Sequence, residues 1–207
     1  MNLQALKSDL RRRALVARQS AHEAAPDAGE RLVEHFPFEL VTPGSVVSAY
    51  WPLPGEMDPR PLMAALEARG ACLALPVVTG AGHPLEFREW RSGDPLQRRA
   101  FGLMEPRENA PQLVPDILLV PLLAIDPDGN RLGFGKGYYD RTLAGLRACG
   151  APVAVGLAYE AQWVAAVPVD EFDQPLDWVV TEGRRVRSSA TPNPPSDNSW
   201  SSRPDAP

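Results

Sequence analysis

Two short apolar runs with a helix between them constrain the fold of this chain most. Residues 46–51 read VVSAYW, rich in β-branched and aromatic side chains, and they end at a stretch containing proline and glycine, as a strand entering a loop does. Asp58 and Pro59 then offer an N-cap and a first-turn proline to a helix that ends near Gly70. A second apolar run, residues 72–78, follows directly. A strand, a helix and a strand in this order are typical of a parallel βαβ unit.

Further strands extend this unit into a sheet. We expect buried strands at residues 117–120 and 153–158, and a short last strand at residues 178–181. Residues 85–90 alternate apolar and polar side chains with a period of two, which favours a half-exposed, antiparallel strand. A helix containing Leu143 lies between two of the buried strands. We therefore predict one three-layer α/β domain with a mostly parallel central sheet and helices on both faces.

The amino-terminal residues 2–18 predict an amphipathic helix. Leucine and alanine recur at helical spacing on one face, and basic side chains occupy the other faces. Lys7 and Arg11 are one turn apart on the same side. This basic run either forms a solvated face or binds an anion, and both interpretations remain open.

A second helical region is predicted directly afterwards. Ser20 and Glu23 have the spacing of a capping box, which indicates a new helix start. We expect this region to be interrupted or restarted at Pro26 and to run to about residue 36.

The composition excludes several classes of protein. The longest apolar run, residues 117–125, has nine residues and contains a proline, whereas about 20 are needed to span a bilayer. Basic side chains interrupt the first 25 residues, which therefore lack the apolar segment of a secretory signal, and we expect a cytoplasmic protein. A net charge of -5 argues against a surface that binds nucleic acid throughout. We therefore expect neither a membrane nor a nucleic acid as a partner.

The cysteines and histidines do not form a recognisable metal or disulfide pattern. Cys72 and Cys149 are too few and too far apart for a disulfide framework or a zinc site, and we expect both to be buried, reduced thiols. His22, His35 and His83 are scattered without metal-ligand spacing.

The carboxyl-terminal segment has a different composition. Residues 187–207 contain six serines and five prolines, with Trp200 as the single aromatic residue, so little apolar surface is available for burial. We predict that residues 1–186 form the α/β domain and that residues 187–207 are a disordered tail rich in proline and serine.

The most informative stretch for function is residues 126–141, DPDGNRLGFGKGYYDR, between a predicted strand and a predicted helix. Gly133, Gly135 and Gly137 alternate within it, and glycine removes β-carbons where backbone amides must converge on an anion. Lys136, one of two lysines in a chain with 19 arginines, adds a full positive charge. The pattern is neither the Walker motif nor the dinucleotide fingerprint. It predicts either a phosphate site or a plain turn.

Carboxylates accompany the glycine-rich stretch. Asp140 falls in the first turn of the following helix, where it suits the helix dipole and could also hold a divalent ion against phosphates. Asp170, Glu171, Asp173 and Asp177 form a second acidic group before the predicted last strand. Because magnesium bound with a nucleotide needs only one or two carboxylates, a metal site and a simple helix cap both remain open.

The stretch resembles the signature of the 5-formyltetrahydrofolate cyclo-ligases, also called methenyltetrahydrofolate synthetases. The segments GNRLG and GYYDR carry the resemblance, which covers about residues 4–182. Weaker matches are Lys7 with Leu10 and Arg11, the Glu56 loop, Phe101 and Gly102, Glu105 and Pro106, residues 159–162, Asp173, Asp177, and Thr181 with Glu182. The family implies a fold similar to the isomerase/CoA-transferase-like fold. It also implies ATP- and Mg²⁺-dependent closure of 5-formyltetrahydrofolate to 5,10-methenyltetrahydrofolate, with release of ADP and phosphate through a phosphorylated formyl intermediate.

The resemblance also implies roles for individual residues. The implied ATP-binding residues are Lys7, Arg11, Gly133, Phe134, Gly135, Lys136, Gly137, Tyr138 and Tyr139. The implied catalytic residues are Lys136, Tyr139 and Arg131, and the implied magnesium ligands are Asp140 and Asp173. Glu56 would accept two N–H groups of the folate pterin, and Phe101 and Tyr138 would line the same pocket. Bacterial relatives often have a histidine where this chain has Phe172.

The expected partners are therefore ATP and 5-formyltetrahydrofolate, with or without a polyglutamate chain, bound by a monomer. A second class of function also fits the composition and periodicity. It is a phosphorylated-metabolite binding or isomerase module of the same architecture, in which the glycine-rich stretch holds a sugar phosphate and no ATP is consumed. The pair of Asp140 and Asp173, together with the basic first helix, favours the nucleotide-dependent enzyme.

Overall fold

The structure is a computed structural model, and it describes residues 2–150 and 152–189. The helices are α1 (Leu3–Ala24), α2 (Ala28–His35), α3 (Arg60–Glu67) and α4 (Tyr138–Cys149). The strands are β1 (Val46–Ser48), β2 (Cys72–Val78), β3 (Leu85–Glu89), β4 (Gln97–Arg98), β5 (Met104–Glu105), β6 (Ile117–Pro121), β7 (Ala124–Ile125), β8 (Arg131–Leu132), β9 (Val153–Leu157), β10 (Trp178–Val180) and β11 (Arg185–Arg187). Short 3₁₀ turns occur at Phe38–Leu40, Ala100–Gly102 and Glu160–Gln162.

Seven strands of the described residues form one sheet in the order β11-β10-β9-β6-β1-β2-β3. The pairs among β10, β9, β6, β1 and β2 are parallel, and the two edge strands β3 and β11 pair antiparallel to their neighbours. In the centre, Val47 pairs with Leu73 on one side and with Ile117 on the other. The prediction of a mostly parallel central sheet is confirmed, as is the antiparallel strand at residues 85–90.

Helices cover both faces of this sheet. Alternate residues of a strand point to opposite faces, and in β6 Leu119 packs in the core under α2 and α3, whereas Leu118 packs with Leu143 of α4. Leu32 of α2 and Leu66 of α3 complete the first of these two cores and are fully buried. The predicted three layers are therefore confirmed.

Helix α1 packs beside the sheet, on the hairpin formed by β7 and β8. Its Leu10 and Ala14 are buried with Leu123 and Leu132. The predicted helix start at Ser20 is wrong, because α1 continues unbroken to Ala24, whereas the predicted restart near Pro26 is confirmed by α2, which begins at Ala28. Tertiary contacts hold this last part of the helix: Ala21 packs against the main core, and His22 Nδ1 lies 2.9 Å from the Tyr159 hydroxyl.

The chain is folded slightly beyond the predicted domain boundary. The strand expected to be the last is β10, but Arg187 belongs to β11, which pairs with it, and Ser188 is buried. The rest of the predicted tail, residues 190–207, lies outside the described residues. Within residues 2–150 and 152–189, no helix combines the length and the apolar character needed to cross a bilayer.

The predicted burial of both cysteines is wrong. Cys72 and Cys149 are exposed free thiols. Cys72 is the first residue of β2 and Cys149 is the last residue of α4, so both stand at element ends, where apolar periodicity no longer places a side chain in the core.

Candidate active site

The glycine-rich stretch forms a loop between β8 and α4. Gly135 and Gly137 have φ angles of 88° and 65°, in the left-handed region that side chains with a β-carbon rarely adopt. Gly137 is also the N-cap residue of α4, so the loop leads directly into the positive end of the helix dipole. We call residues 133–137 the glycine loop. Its Phe134 is half exposed, and Lys136 is exposed.

Helix α1 holds the glycine loop through Arg11. The Arg11 Nε donates a hydrogen bond of 2.9 Å to the carbonyl oxygen of Gly133. A β-carbon at Gly135 would lie 3.1 Å from Arg11 Cζ, so glycine at this position also permits the close approach of the guanidinium. The structure thus brings together the basic helix and the glycine loop, which are more than 120 residues apart in the chain.

Lys136 has a free ammonium group. Its carbonyl oxygen accepts a 2.7 Å hydrogen bond from Arg141, but in the described part of the chain its Nζ has neither a hydrogen bond nor an ion pair. An exposed, unpaired cation at the start of a helix is suited to bind an anionic group.

Lys7 is in a different state from Lys136, because it is buried and paired. Its Nζ lies 2.8 Å from Asp170 Oδ2 and 2.5 Å from Asp173 Oδ2. Burial lowers the pKa of Lys7, but the hydrogen bonds and charges of the two carboxylates outweigh burial and leave this pKa above its ordinary value. In turn, the hydrogen bond from Lys7 lowers the pKa of Asp170 below its ordinary value. The predicted phosphate ligand Lys7 and the predicted magnesium ligand Asp173 are therefore neighbours.

Asp140 is close to the same group of residues. Its Oδ1 accepts a 2.8 Å hydrogen bond from Arg131 Nη2 and a 3.2 Å hydrogen bond from the backbone N–H of Gln174, the residue after Asp173. Arg131 is buried, and its Nε has no hydrogen-bond partner among the described residues. Asp140 Oδ2 and Asp173 Oδ1 accept no hydrogen bond in the described part of the chain, so each carboxylate keeps one oxygen for a ligand.

Glu56 is buried in the loop between β1 and α3. Its Oε2 accepts a 2.9 Å hydrogen bond from the Leu53 N–H, and its Oε1 lies 3.6 Å from Arg18 Nη1. Burial raises the pKa of Glu56, while the Leu53 N–H and the Arg18 charge act in the opposite direction. Glu56 is therefore a buried carboxylate and not an exposed surface group.

Two tyrosines follow the glycine loop at the start of α4. Tyr139 is partly buried, and its ring centre lies 5.7 Å from Arg131 Cζ. Burial and the charge of Glu56 raise the pKa of Tyr139 well above its ordinary value. Tyr138 is also partly buried, beside Arg141, whose Cζ is 5.5 Å from the ring centre. The backbone of Phe101 lies in the turn between β4 and β5, but its side chain is outside the described part of the structure.

One residue near Glu56 was missed by sequence reasoning. Arg18 is buried on α1 with Lys7, Leu10 and Ala14. These four residues follow one another at intervals of three or four positions, so they form one buried stripe along the helix. This spacing could have predicted from the sequence that Arg18 is buried.

The comparisons with known proteins identify the family. A model of the 5-formyltetrahydrofolate cyclo-ligase family matches residues 3–182. The chain belongs to this family. The 5-formyltetrahydrofolate cyclo-ligase of Escherichia coli K12 is 34% identical over 180 residues, which cover 84% of this chain and 96% of the relative. That of Haemophilus influenzae is 36% identical over 135 residues, covering 63% and 72%.

Solved structures agree with this assignment. The 5,10-methenyltetrahydrofolate synthetase of Aquifex aeolicus has 30% identity and a TM-score of 0.71, and the match covers 94% of this chain and 99% of that one. A synthetase from Mycoplasma pneumoniae, at 22% identity, shares the fold with a TM-score of 0.65 over 85% of this chain and 98% of that one. The cyclo-ligase resemblance of the sequence is confirmed, and this family member is an enzyme of the ligase class.

Proposed function

We propose that this cyclo-ligase family member converts 5-formyltetrahydrofolate to 5,10-methenyltetrahydrofolate, with ATP and Mg²⁺ as requirements and ADP and phosphate as products. The observation that carries the proposal is the position of α1, which contacts both candidate ligand loops. Arg11 holds the glycine loop, and about two turns further along the helix Arg18 contacts the loop of Glu56. One rigid element thus sets the distance between a candidate phosphate site and a candidate pterin site.

The glycine loop would bind the triphosphate. Its backbone and the start of α4 favour an anion. Lys136, which has no ion pair among the described residues, can neutralise the charge that develops on the transferred phosphoryl group. Gly133, Phe134, Gly135, Gly137, Tyr138 and Tyr139 form the rest of this proposed ATP site, with Arg11 from α1. Lys7 would join it by exchanging its carboxylate partners for a phosphate.

The carboxylates fit a magnesium ion that arrives with the nucleotide. Asp140 and Asp173 each have one oxygen without a hydrogen bond among the described residues, and Mg²⁺ bound with a nucleotide needs only one or two such ligands. The ion would neutralise phosphate charge and orient the triphosphate. Arg131 holds Asp140 through its 2.8 Å hydrogen bond and so fixes the direction of that carboxylate.

The loop of Glu56 would bind the folate. A buried carboxylate can accept two adjacent N–H groups of the pterin ring, and the described geometry leaves Glu56 with spare acceptor capacity. We propose that Tyr138 and Phe101 line this pocket. Tyr139, whose pKa is raised by burial and by the charge of Glu56, is proposed to lie between the two ligands.

The reaction then needs mainly positioning and charge neutralisation. The formyl oxygen attacks the γ-phosphorus, the bond from that phosphorus to ADP breaks, and an iminium phosphate forms on the folate. The neighbouring folate amine attacks the iminium carbon, the carbon–oxygen bond breaks, and phosphate leaves while the amine proton passes to water.

Absorbance in the near ultraviolet tests the proposal, because the methenyl product absorbs there. We expect product when 5-formyltetrahydrofolate, ATP and Mg²⁺ are all present and none when ATP or Mg²⁺ is omitted. Product without ATP, or no product in the complete mixture, would contradict the proposal. We also propose that the enzyme acts as a cytoplasmic monomer and accepts polyglutamylated substrate, which sedimentation, cell fractionation and a polyglutamate series would test.

A further inference from the structure

Arg18 is a buried cation with an unused hydrogen-bond donor. Only 5% of its surface is exposed, and its Nη1 has no hydrogen-bond partner among the described residues. Its Nη2 makes one long contact of 3.4 Å with the Pro54 carbonyl oxygen. A buried N–H that bonds to nothing is destabilising, so such a group in a folded protein needs a partner, which is either an ordered water or a ligand.

The surroundings of Arg18 indicate where that partner would be. Nη1 lies 3.6 Å from Glu56 Oε1, and the Arg18 Cζ lies 5.4 Å from the ring centre of Phe134 in the glycine loop. A β-carbon at Gly55 would come within 3.8 Å of the guanidinium and 2.8 Å of the Gln19 amide oxygen, so the loop of Glu56 is pressed closely against α1. Arg18 therefore stands between the two candidate ligand loops.

We propose that Arg18 is a further substrate-binding residue, whose Nη1–H donates to the ring carbonyl oxygen of the pterin that Glu56 binds. This inference rests on the proposed function. A pterin presents an amino group, a ring N–H and a carbonyl oxygen side by side on one edge. A carboxylate next to a guanidinium donor is the complement of that edge, because the first accepts from both nitrogens and the second donates to the oxygen.

The charge of Arg18 also determines how folate binding depends on pH. Glu56 faces Arg18 from α1, the Leu53 N–H from its own loop, and the phenols of Tyr50 and Tyr139. Burial already raises its pKa, and Arg18 counteracts this effect. Loss of the Arg18 charge raises the pKa further, so more of Glu56 is protonated and folate binding weakens most on the acidic side.

Two substitutions separate the charge from the donor. Arg18→Gln removes the charge. Arg18→Lys keeps the charge but lacks the planar guanidinium with its several N–H donors. Arg12→Gln is the matched control, since Arg12 is an exposed arginine of the same helix. Each protein is titrated calorimetrically with 5-formyltetrahydrofolate without ATP, at about pH 6 and about pH 8, and with ATP without folate.

We expect Arg18→Gln to bind the folate about tenfold more weakly at the higher pH and weaker still at the lower pH. Arg18→Lys should bind several-fold more weakly with the pH dependence of the wild type, and Arg12→Gln should match the wild type. Unchanged ATP affinity and thermal melting show that a variant is folded. Wild-type folate affinity of a folded Arg18→Gln at both pH values would overturn the inference. If that variant does not fold, wild-type affinity of Arg18→Lys would overturn it.

A pair of small ligands tests the carbonyl contact itself. 2,4-Diaminopteridine carries an amino group where pterin carries the ring carbonyl oxygen. We expect the preference of the wild type for pterin to decrease in Arg18→Gln, and an unchanged preference would contradict the contact. Failure of the wild type to bind 5-formyltetrahydrofolate at all is a different result, since it would contradict the proposed function.

Discussion

The glycine loop and the loop of Glu56 approach the same helix but are built in opposite ways. The glycine loop is largely exposed, and the one lysine in it is unpaired among the described residues. In the loop of Glu56, Gly55, Glu56 and Met57 are all buried, and the carboxylate already has a backbone donor and a guanidinium beside it.

The glycine loop is a site that its ligand completes, whereas the loop of Glu56 is a site that is already formed before the ligand arrives. An exposed loop of backbone amides and one mobile cation suits a highly charged, hydrated triphosphate that brings its own metal ion. A buried carboxylate held by fixed donors suits a flat, mostly uncharged ring, whose binding depends on direction rather than on charge. We therefore expect substitutions in the first loop to affect turnover or ATP affinity, and those in the second to affect folate affinity.

The largest effect is expected from Lys136→Ala. Turnover should fall about 10²-fold or more, because a preorganised charge at the transferred phosphoryl group is lost. Folate affinity and melting temperature should remain at the wild-type values, since the ammonium has no hydrogen bond or ion pair with another described residue. Steady-state kinetics and calorimetry measure both. Arg91→Ala, which removes an exposed cation just after the edge strand β3, is the control. Wild-type turnover of Lys136→Ala would remove Lys136 from the mechanism.

Glu56→Gln tests the preformed site. The amide keeps the size of the side chain but turns one acceptor into a donor, so one pterin N–H is left unpaired at a cost of about 1 to 3 kcal/mol. Folate affinity should fall by roughly 5- to 150-fold, while ATP affinity without folate stays constant. Glu39→Gln, at an exposed ion pair with Arg185, controls for the substitution. Equal losses for the two ligands would show that Glu56 supports the fold rather than the pterin.

Asp140→Asn tests whether the carboxylate on α4 serves the metal ion. The Mg²⁺ concentration at half-maximal activity should rise about tenfold, because one charged ligand is lost. The folate requirement should not change. The variant keeps an oxygen for the hydrogen bond from Arg131, so it is expected to fold. Asp27→Asn, at the N-cap of α2, is the control. An equal rise in the Mg²⁺ and folate requirements would show that Asp140 acts only as a helix cap.

The smallest effect is expected from Gly135→Ala. Gly135 and Gly44 have nearly the same φ, 88° and 87°, so alanine at either position should lower the free energy of unfolding by about 1 kcal/mol. A β-carbon at Gly44 meets no atom within 4 Å, whereas one at Gly135 meets Arg11. ATP affinity should therefore fall about threefold to fivefold in Gly135→Ala alone. Equal ATP affinity of the two variants would show that the loop does not bind the nucleotide closely.

The sheet was largely predictable, because its inner strands are continuous apolar runs. Residues 117–120 are four consecutive apolar residues, a pattern typical of a strand in a parallel sheet that helices cover on both faces. Strand β11 was not predictable in this way. Arg185, Val186 and Arg187 include one apolar residue, and pairing with β10 rather than hydrophobic burial makes them a strand.

The residue types of the site could be predicted from the sequence, but the residues with which they form ion pairs and hydrogen bonds could not. The alternating glycines and Lys136 indicate an anion site from local sequence alone. The ion pair of Lys7 with Asp173 joins residues 166 positions apart, and no local pattern encodes such a contact. Arg18 was overlooked among the arginines around it, since only its place on the buried stripe of α1 distinguishes it.

The central claim is that the exposed loop and the buried loop hold two substrates of one coupled reaction. The most direct test measures ADP and the methenyl product in the same sample of the wild-type enzyme, with and without 5-formyltetrahydrofolate. We predict equal amounts of ADP and methenyl product when the folate is present, and no ADP release above background when it is absent. Methenyl product in excess of ADP, or ADP release that does not depend on the folate, would contradict the account.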